Sequence, residues 1–193
     1  MARRIATINA LEPSPALARG EAELVVDGEH FRRIVVEGIC QAKVSVDIAT
    51  ADFKAMLVPT GGRRAESIVA VLRRLAVGGV EVRLLHAGVP SGPALQELKR
   101  DLPANLIIRR CPRLHAKTVV IDARAMYLGS ANLTGAGLGA KADGRRNFEW
   151  GVWTTAPGMI DGVLDQFNAL WAGQQCDACK RKDVCPVPLE EPA

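Results

Sequence analysis

Aromatic side chains are scarce in this chain, at 4% of 193 residues with a single tyrosine. An extended base-stacking platform needs several such rings, so that mode of nucleic-acid binding is excluded. Long apolar runs are missing as well. None approaches the roughly 18 residues of a membrane span. The opening stretch MARRIATINALEPSPALARG has a basic start, but its short apolar segment is broken by Glu12 and two prolines, which makes a poor secretory signal. A cytoplasmic location is therefore expected. Charge of one sign does not dominate either. A net charge of +4 and a pI near 8.9 describe a mildly basic chain rather than a dedicated nucleic-acid coat. Only three histidines occur, so any histidine chemistry rests on His30, His86 or His115.

What is present is enough apolar residue, 48%, for one domain with a sizeable core. Residues 1–20 read as an irregular lead-in. Glu29 to Gln41 has helical periodicity, with Phe31, Ile34, Val35 and Ile39 on one side. Lys43 to Thr50 alternates as a strand. Arg63 to Val77 reads as an amphipathic helix ended by Gly78-Gly79, and Val80 to His86 as a strand. Pro93 to Asp101 is a short helix, Asn105 to Arg109 a strand, Asn147 to Thr154 a strand, and Pro157 to Trp171 a helix. Strands alternating with helices predict an α/β fold with a mixed β-sheet sandwiched between helices. Gly61-Gly62-Arg63-Arg64, read as the opening of a helix, is either an ordinary loop or a phosphate contact. His86, at a strand end, is expected to be structural, and His30 to lie on the helix surface.

The chemistry concentrates in LHAKTVVIDARAMYLGSANLTG. It reads as His115, Lys117, four residues, Asp122, six residues, then Gly129, Ser130 and Asn132. Leu114 to Asp122 and Ala125 to Leu133 predict a β-hairpin. With Ala123-Arg124 as a two-residue turn, Lys117 faces Ser130 and His115 faces Asn132, which gathers four polar side chains on one patch. A one-residue slip would separate them. A neutral imidazole can attack phosphorus, and an ammonium with neighbouring hydrogen-bond donors suits the charge that builds on phosphate oxygens. Glu149, in RNFEWGVW, read without further context is a solvated strand-edge carboxylate. Arginine pairs recur, and Arg109, Arg110 and Arg113 precede His115 closely enough to form a basic rim that attracts polyanions.

The full spacing resembles the HKD signature of the phospholipase D superfamily. That resemblance implies a metal-independent phosphodiesterase, with 21–172 as its catalytic domain. It implies His115 as nucleophile, phosphate binding by Lys117, Ser130 and Asn132, and a supporting role for Asp122 within the hairpin. An acid after the G-S-x-N segment, here Glu149, would orient the histidine, with Asn147 beside it. Neither His30 nor His86 has a lysine two residues on, so only one such motif is present. The chain resembles the short, nuclease-like members that dimerise to bring two motifs together, and a C₂ homodimer would pair two copies of His115. Nucleic acid is the expected substrate. A phosphatidyl lipid remains an alternative, as does a non-catalytic nucleic-acid-binding module.

After Trp171 the composition changes. Residues 173–193 carry Cys176, Cys179 and Cys185 in C-x₂-C-x₅-C-P. In a reducing compartment such clustering points to metal more than to disulfide. Three thiolates fall one short of the set that structural zinc or an iron–sulfur cluster takes, and either Cys111 or Cys40 could complete it. Free thiols in a solvated tail are the alternative. No cofactor is expected for catalysis itself.

Overall fold

The computed structural model describes residues 22–61, 64–90 and 92–185; the lead-in 1–20 lies outside them. Its centre is the run SVDIAT, β2 (Ser45–Thr50), buried along nearly its whole length. Burial on both faces suits β-branched and small residues, and it requires a partner on each edge. Those partners are β5 (Glu81–His86), parallel, and β7 (Thr118–Ile121), antiparallel. Adding β1 (Ala22–Val26), β6 (Leu106–Arg110), β8 (Ala125–Gly129) and β9 (Trp150–Thr154) completes a seven-stranded sheet in the order β1-β9-β8-β7-β2-β5-β6. The sheet is parallel across β2-β5-β6 and antiparallel elsewhere. It is the expected mixed sheet.

Alternation along the strands sends side chains to two separate cores. Val46, Ile48, Val82, Leu84, Val119 and Ile121 join the main core with α1 (Ile68–Val77), α2 (Pro93–Leu98) and the turns at 31–41. Ala49, Leu85 and Val120 point to the opposite face. There Ile160 and Phe167 of α3 (Pro157–Trp171) cover them. Helices thus flank both faces of the sheet.

Three expectations are corrected by the structure. The segment 29–41 is not one helix but a π-helical turn at Phe31–Val36 and a 3₁₀ turn at Ile39–Gln41. Gly38 separates them where the backbone runs so close to Ile34 O that a Cβ would lie 2.5 Å from it. The helix expected from Arg63 begins at Ile68, capped by Ser67, whose Oγ accepts from Ala70 N–H at 3.0 Å. The residues before it form a hairpin of β3 (Leu57–Gly61) and β4 (Arg64–Ser67). The glycine pair therefore does not open a helix, and Gly62 and Arg63 themselves lie outside the described residues. Finally, His30 is fully buried rather than on the surface.

Candidate active site

The hairpin carrying the motif differs in register from the two-residue turn. Ile121 pairs with Ala125, Val119 with Tyr127 and Thr118 with Leu128. The ladder has slipped by one residue relative to the expectation. Asp122 and Ala123 both adopt left-handed backbone conformations, with φ of 52° and 51°, and Arg124 N–H closes on Ile121 O at 2.9 Å. An alanine seldom tolerates that conformation. What holds it is Asp122, whose carboxylate accepts from the backbone N–H groups of Lys43, Val44 and Ser45 at 2.7 to 3.1 Å. Burial alone would raise its pKa, but those hydrogen bonds, with Arg124 nearby, hold the carboxyl below its ordinary value. Asp122 therefore ties the hairpin turn to the start of β2. All of β7 separates it from His115, a distance of roughly 20 Å at a strand's rise per residue.

His115 and Lys117 precede β7 instead of lying on it. Hairpin register consequently does not decide their meeting. Lys117 Nζ donates to the carbonyl of His115 at 2.8 Å and stands 3.2 and 3.3 Å from the two ring nitrogens. The imidazole is exposed, while the lysine is 9% exposed. Burial pushes the Lys117 pKa down, and the charge of Glu149 pushes back. Glu149 is itself buried. Its carboxylate accepts from Ser130 Oγ and from Asn147 Nδ2, the latter at 2.9 Å. Ser130 Oγ in turn accepts from Trp150 N–H at 3.1 Å. Glu149 thus serves Lys117 and Ser130, and it is Lys117 that stands against the ring of His115.

Two glycines allow this convergence. Gly129 of β8 faces Gly151 of β9, and the ring of Tyr127 lies against both. A Cβ on Gly129 would come within 2.6 Å of the Gly151 Cα, and one on Gly151 would enter the tyrosine ring. Beyond Gly129 the chain leaves the ladder, with Ser130 N–H bonded to Trp150 O at 3.0 Å. That departure carries Ser130 to Glu149. Asn132 lies further along, its Oδ1 accepting from Asp52 N–H at 3.0 Å. With Asn147, Lys54 and Lys141 it lines a separate groove of about 400 Å³. The structure thus links His115, Lys117, Ser130, Asn147 and Glu149, sets Asn132 in the adjoining groove, and leaves Asp122 at the far end of the strand.

Two residues of this arrangement, Asp27 and Tyr127, have no role in the sequence analysis, and a third, His30, was expected on the surface. Asp27, at φ 44°, accepts from Glu149 N–H through Oδ1 at 3.0 Å and donates its own N–H to Glu149 O at 2.9 Å. His30 Nδ1 faces Asp27 O at 2.9 Å, so that nitrogen is the donor. Its Nε2 then accepts from Tyr127 OH at 3.1 Å. The phenol oxygen accepts from Ala131 N–H at 3.0 Å, and burial pushes its pKa up to about 12. Spacing held one hint, since His30 and the buried Ile34 are four apart. Asp27 left no signal, because its partner is 122 residues away.

Beside His115 run two further recesses. One is an open groove of about 620 Å³ lined by Arg113, His115, Lys180 and Arg181, so part of the expected basic rim stands there. The other is a cavity of about 620 Å³ between α3 and the 173–185 tail. Arg109 and Arg110 are engaged on its wall. Arg109 lies over the Trp171 ring at 4.6 Å, and Arg110 donates to Ala87 O and Val184 O, each at 3.0 Å.

A mixed sheet clad by helices on both faces, with an exposed histidine backed by a buried lysine and carboxylate, defines a fold of the phospholipase D type. The chain belongs to the phospholipase D-like domain family: residues 35–171 match the family model described as cardiolipin synthase, PLD-like domain. Among solved structures it is similar to Nuc from Salmonella typhimurium, a phospholipase D family member. Identity is 20%, coverage 79% of this chain and 95% of that one, and the TM-score 0.59. NucT from Helicobacter pylori is similar at 18% identity, covering 78% and 95%, with a TM-score of 0.59. TrmBL2, an archaeal chromatin protein, is similar at 13% identity, covering 82% and 54%, with a TM-score of 0.54. No curated protein matches the chain significantly. Among the described residues no helix is long and apolar enough to cross a membrane.

Proposed function

We propose that this chain is a phosphodiesterase that cleaves nucleic acid through a covalent phosphohistidine, acting as a homodimer. The observation that carries the reading is the exposed imidazole of His115 set against a buried ammonium, at the wall of a groove lined by Arg113, Lys180 and Arg181. A ring nitrogen lone pair attacks phosphorus, and the P–O bond to the leaving strand breaks as the P–N bond forms. Lys117 and Ser130 stabilise the equatorial oxygens. Glu149 keeps Lys117 charged against its burial and fixes the Ser130 hydroxyl. The leaving oxygen takes its proton from the protonated histidine of the second copy; that histidine then takes a proton from water as the water oxygen bonds phosphorus and the P–N bond breaks, which restores both rings.

Support for nucleic acid comes from the cations along the surface. Arg113, Lys180 and Arg181 stand in one recess and Lys54 and Lys141 in another, a spread that suits a backbone of repeating phosphates. TrmBL2, whose structure shows a mode of DNA binding, shares the fold. Support for a dimer comes from an apolar row on the outer sheet. Leu24, Val152 and Leu128 lie in register across β1, β9 and β8, and Trp150 follows on the same face. Leu24 is 69% and Trp150 66% exposed, which is costly unless covered.

The test uses plasmid DNA, single-stranded DNA, RNA and phosphatidylcholine vesicles, in EDTA with no added divalent cation. Cleavage of a nucleic acid that falls about 10⁴-fold in His115→Asn is expected. Hydrolysis of lipid alone, or nucleic acid bound by the wild-type protein yet left uncleaved, would overturn the reading.

A further inference from the structure

Cys111, Cys176, Cys179 and Cys185 line one cavity, although Cys111 is 65 positions before the next of them. All four carry free thiols. The tail that holds three of them is pinned to the loop that holds the fourth. Arg181 donates to Pro112 O at 2.9 Å, Arg110 to Val184 O at 3.0 Å, and Arg109 to Trp171 O. Cys185 Sγ lies 4.0 Å from Arg110 O, next to Cys111 in the chain. Within the tail, Cys176 N–H bonds to Gly173 O at 2.9 Å and Cys179 N–H to Cys176 O at 3.0 Å. These bonds fold C-x₂-C into a tight turn on the wall of the cavity. Cys40, the other candidate fourth ligand, packs against the main core on the opposite face of the sheet.

We propose that Cys111, Cys176, Cys179 and Cys185 form a four-thiolate site for a thiophilic metal centre, either a zinc ion or an iron–sulfur cluster. Four thiolates exceed the charge of either centre, so the bound site is net anionic. Arg109, Arg110, Arg113 and Lys182 line the same cavity and offset that charge. No group of three or more His, Cys, Asp or Glu side chains among the described residues is already in ligating position. The proposal therefore includes closure of the 176–185 turn onto Cys111 when metal binds, which couples binding to ordering of the tail. Cys111 begins the loop that ends in His115, and Leu114 N–H closes that loop on Cys111 O at 2.9 Å. The centre would thus anchor the segment that delivers the nucleophile, a consequence that rests on the function proposed above.

The experiment is metal and acid-labile sulfide analysis of the full chain purified without oxygen, beside Cys111→Ser, Cys176→Ser, Cys40→Ser and His115→Asn. Wild type should hold about one zinc, or roughly two to four irons with matching sulfide and visible absorption, per chain. Cys111→Ser and Cys176→Ser should lose most of it, while Cys40→Ser and His115→Asn keep it. Far-UV circular dichroism of the exposed-site variant Cys176→Ser separates loss of ligand from loss of fold. Three results would overturn the proposal: wild type empty after reconstitution with zinc and with iron plus sulfide, full metal in folded Cys176→Ser or Cys111→Ser, or a disulfide within the set. Because His115→Asn should lose cleavage and keep metal, failure of this site and failure of the nuclease reading are read separately.

Discussion

Glu149 sits between a buried cation and a serine hydroxyl, and both depend on its charge. Desolvation pulls the Lys117 pKa down and Glu149 raises it. Removing that charge without changing shape, in Glu149→Gln, takes the opposing influence away, so the Lys117 pKa falls further. The alkaline limb of the pH–rate profile should move to lower pH, and kcat should drop by about 10²-fold as the oxygens lose their countercharge. A profile that falls in height yet keeps its alkaline limb would separate Lys117 from that limb. At the same scale, Tyr127→Phe removes one hydroxyl that bonds His30 and Ala131 N–H. Leaving both groups buried and unpaired should cost about 1–3 kcal/mol, measured by urea denaturation.

The hairpin turn shows at the level of elements how one side chain sets a conformation. Two left-handed residues in a row are unfavourable for Asp-Ala, yet Asp122 is repaid by N–H groups at the start of β2. Asn tolerates the same backbone but replaces acceptor lone pairs with donors, so Asp122→Asn should lose about 1–2 kcal/mol while the far-UV spectrum stays unchanged. Its pH dependence follows from the sign of the shift. The folded pKa is depressed, so the stabilisation is complete above the ordinary value of 3.8 and disappears as pH falls through the lower folded value. Acid melting of wild type and Asp122→Asn should therefore converge at low pH. Crowding is the constraint on the β8–β9 side. Gly151→Ala drives a methyl into the buried Tyr127 ring and should cost about 1–3 kcal/mol by thermal melting.

At the scale of the whole molecule, two buried histidines govern stability near neutral pH. Burial lowers the pKa of His30 and of His86, only partly offset by their bonds to Asp27 and Gly88. An unfolded chain takes up these protons first, so stability is full above about 6.5 and declines as pH falls toward the folded values. The melting temperature should drop between pH 7.5 and 5.5, and the slope should flatten in His30→Gln. The exposed row of Leu24, Leu128 and Trp150 belongs to the same scale. Light scattering should give twice the monomer mass for wild type, shifting toward monomer in Trp150→Glu, with cleavage lost together with assembly.

The sequence by itself determined the chemistry-bearing segment, the mixed α/β architecture and α3, because each is written in local pattern. Lysine two residues after histidine makes that pair meet whatever the hairpin does, through Lys117 Nζ reaching back to its neighbour. Period-two and period-four apolar spacing likewise gave the central strands and the last helix. Only the tertiary structure decided the rest. The turn register hung on Asp122 finding N–H groups 77 to 79 residues away, and β1 is a strand because β9 offers it an edge. The backbone of Glu149 is held by Asp27, across 122 positions. Of the two cysteines that could join the tail, Cys111 lines its cavity and Cys40 packs on the far side of the sheet. Local spacing specifies what a few neighbouring residues can do, whereas partners contributed by distant segments exist only once the chain has closed around them.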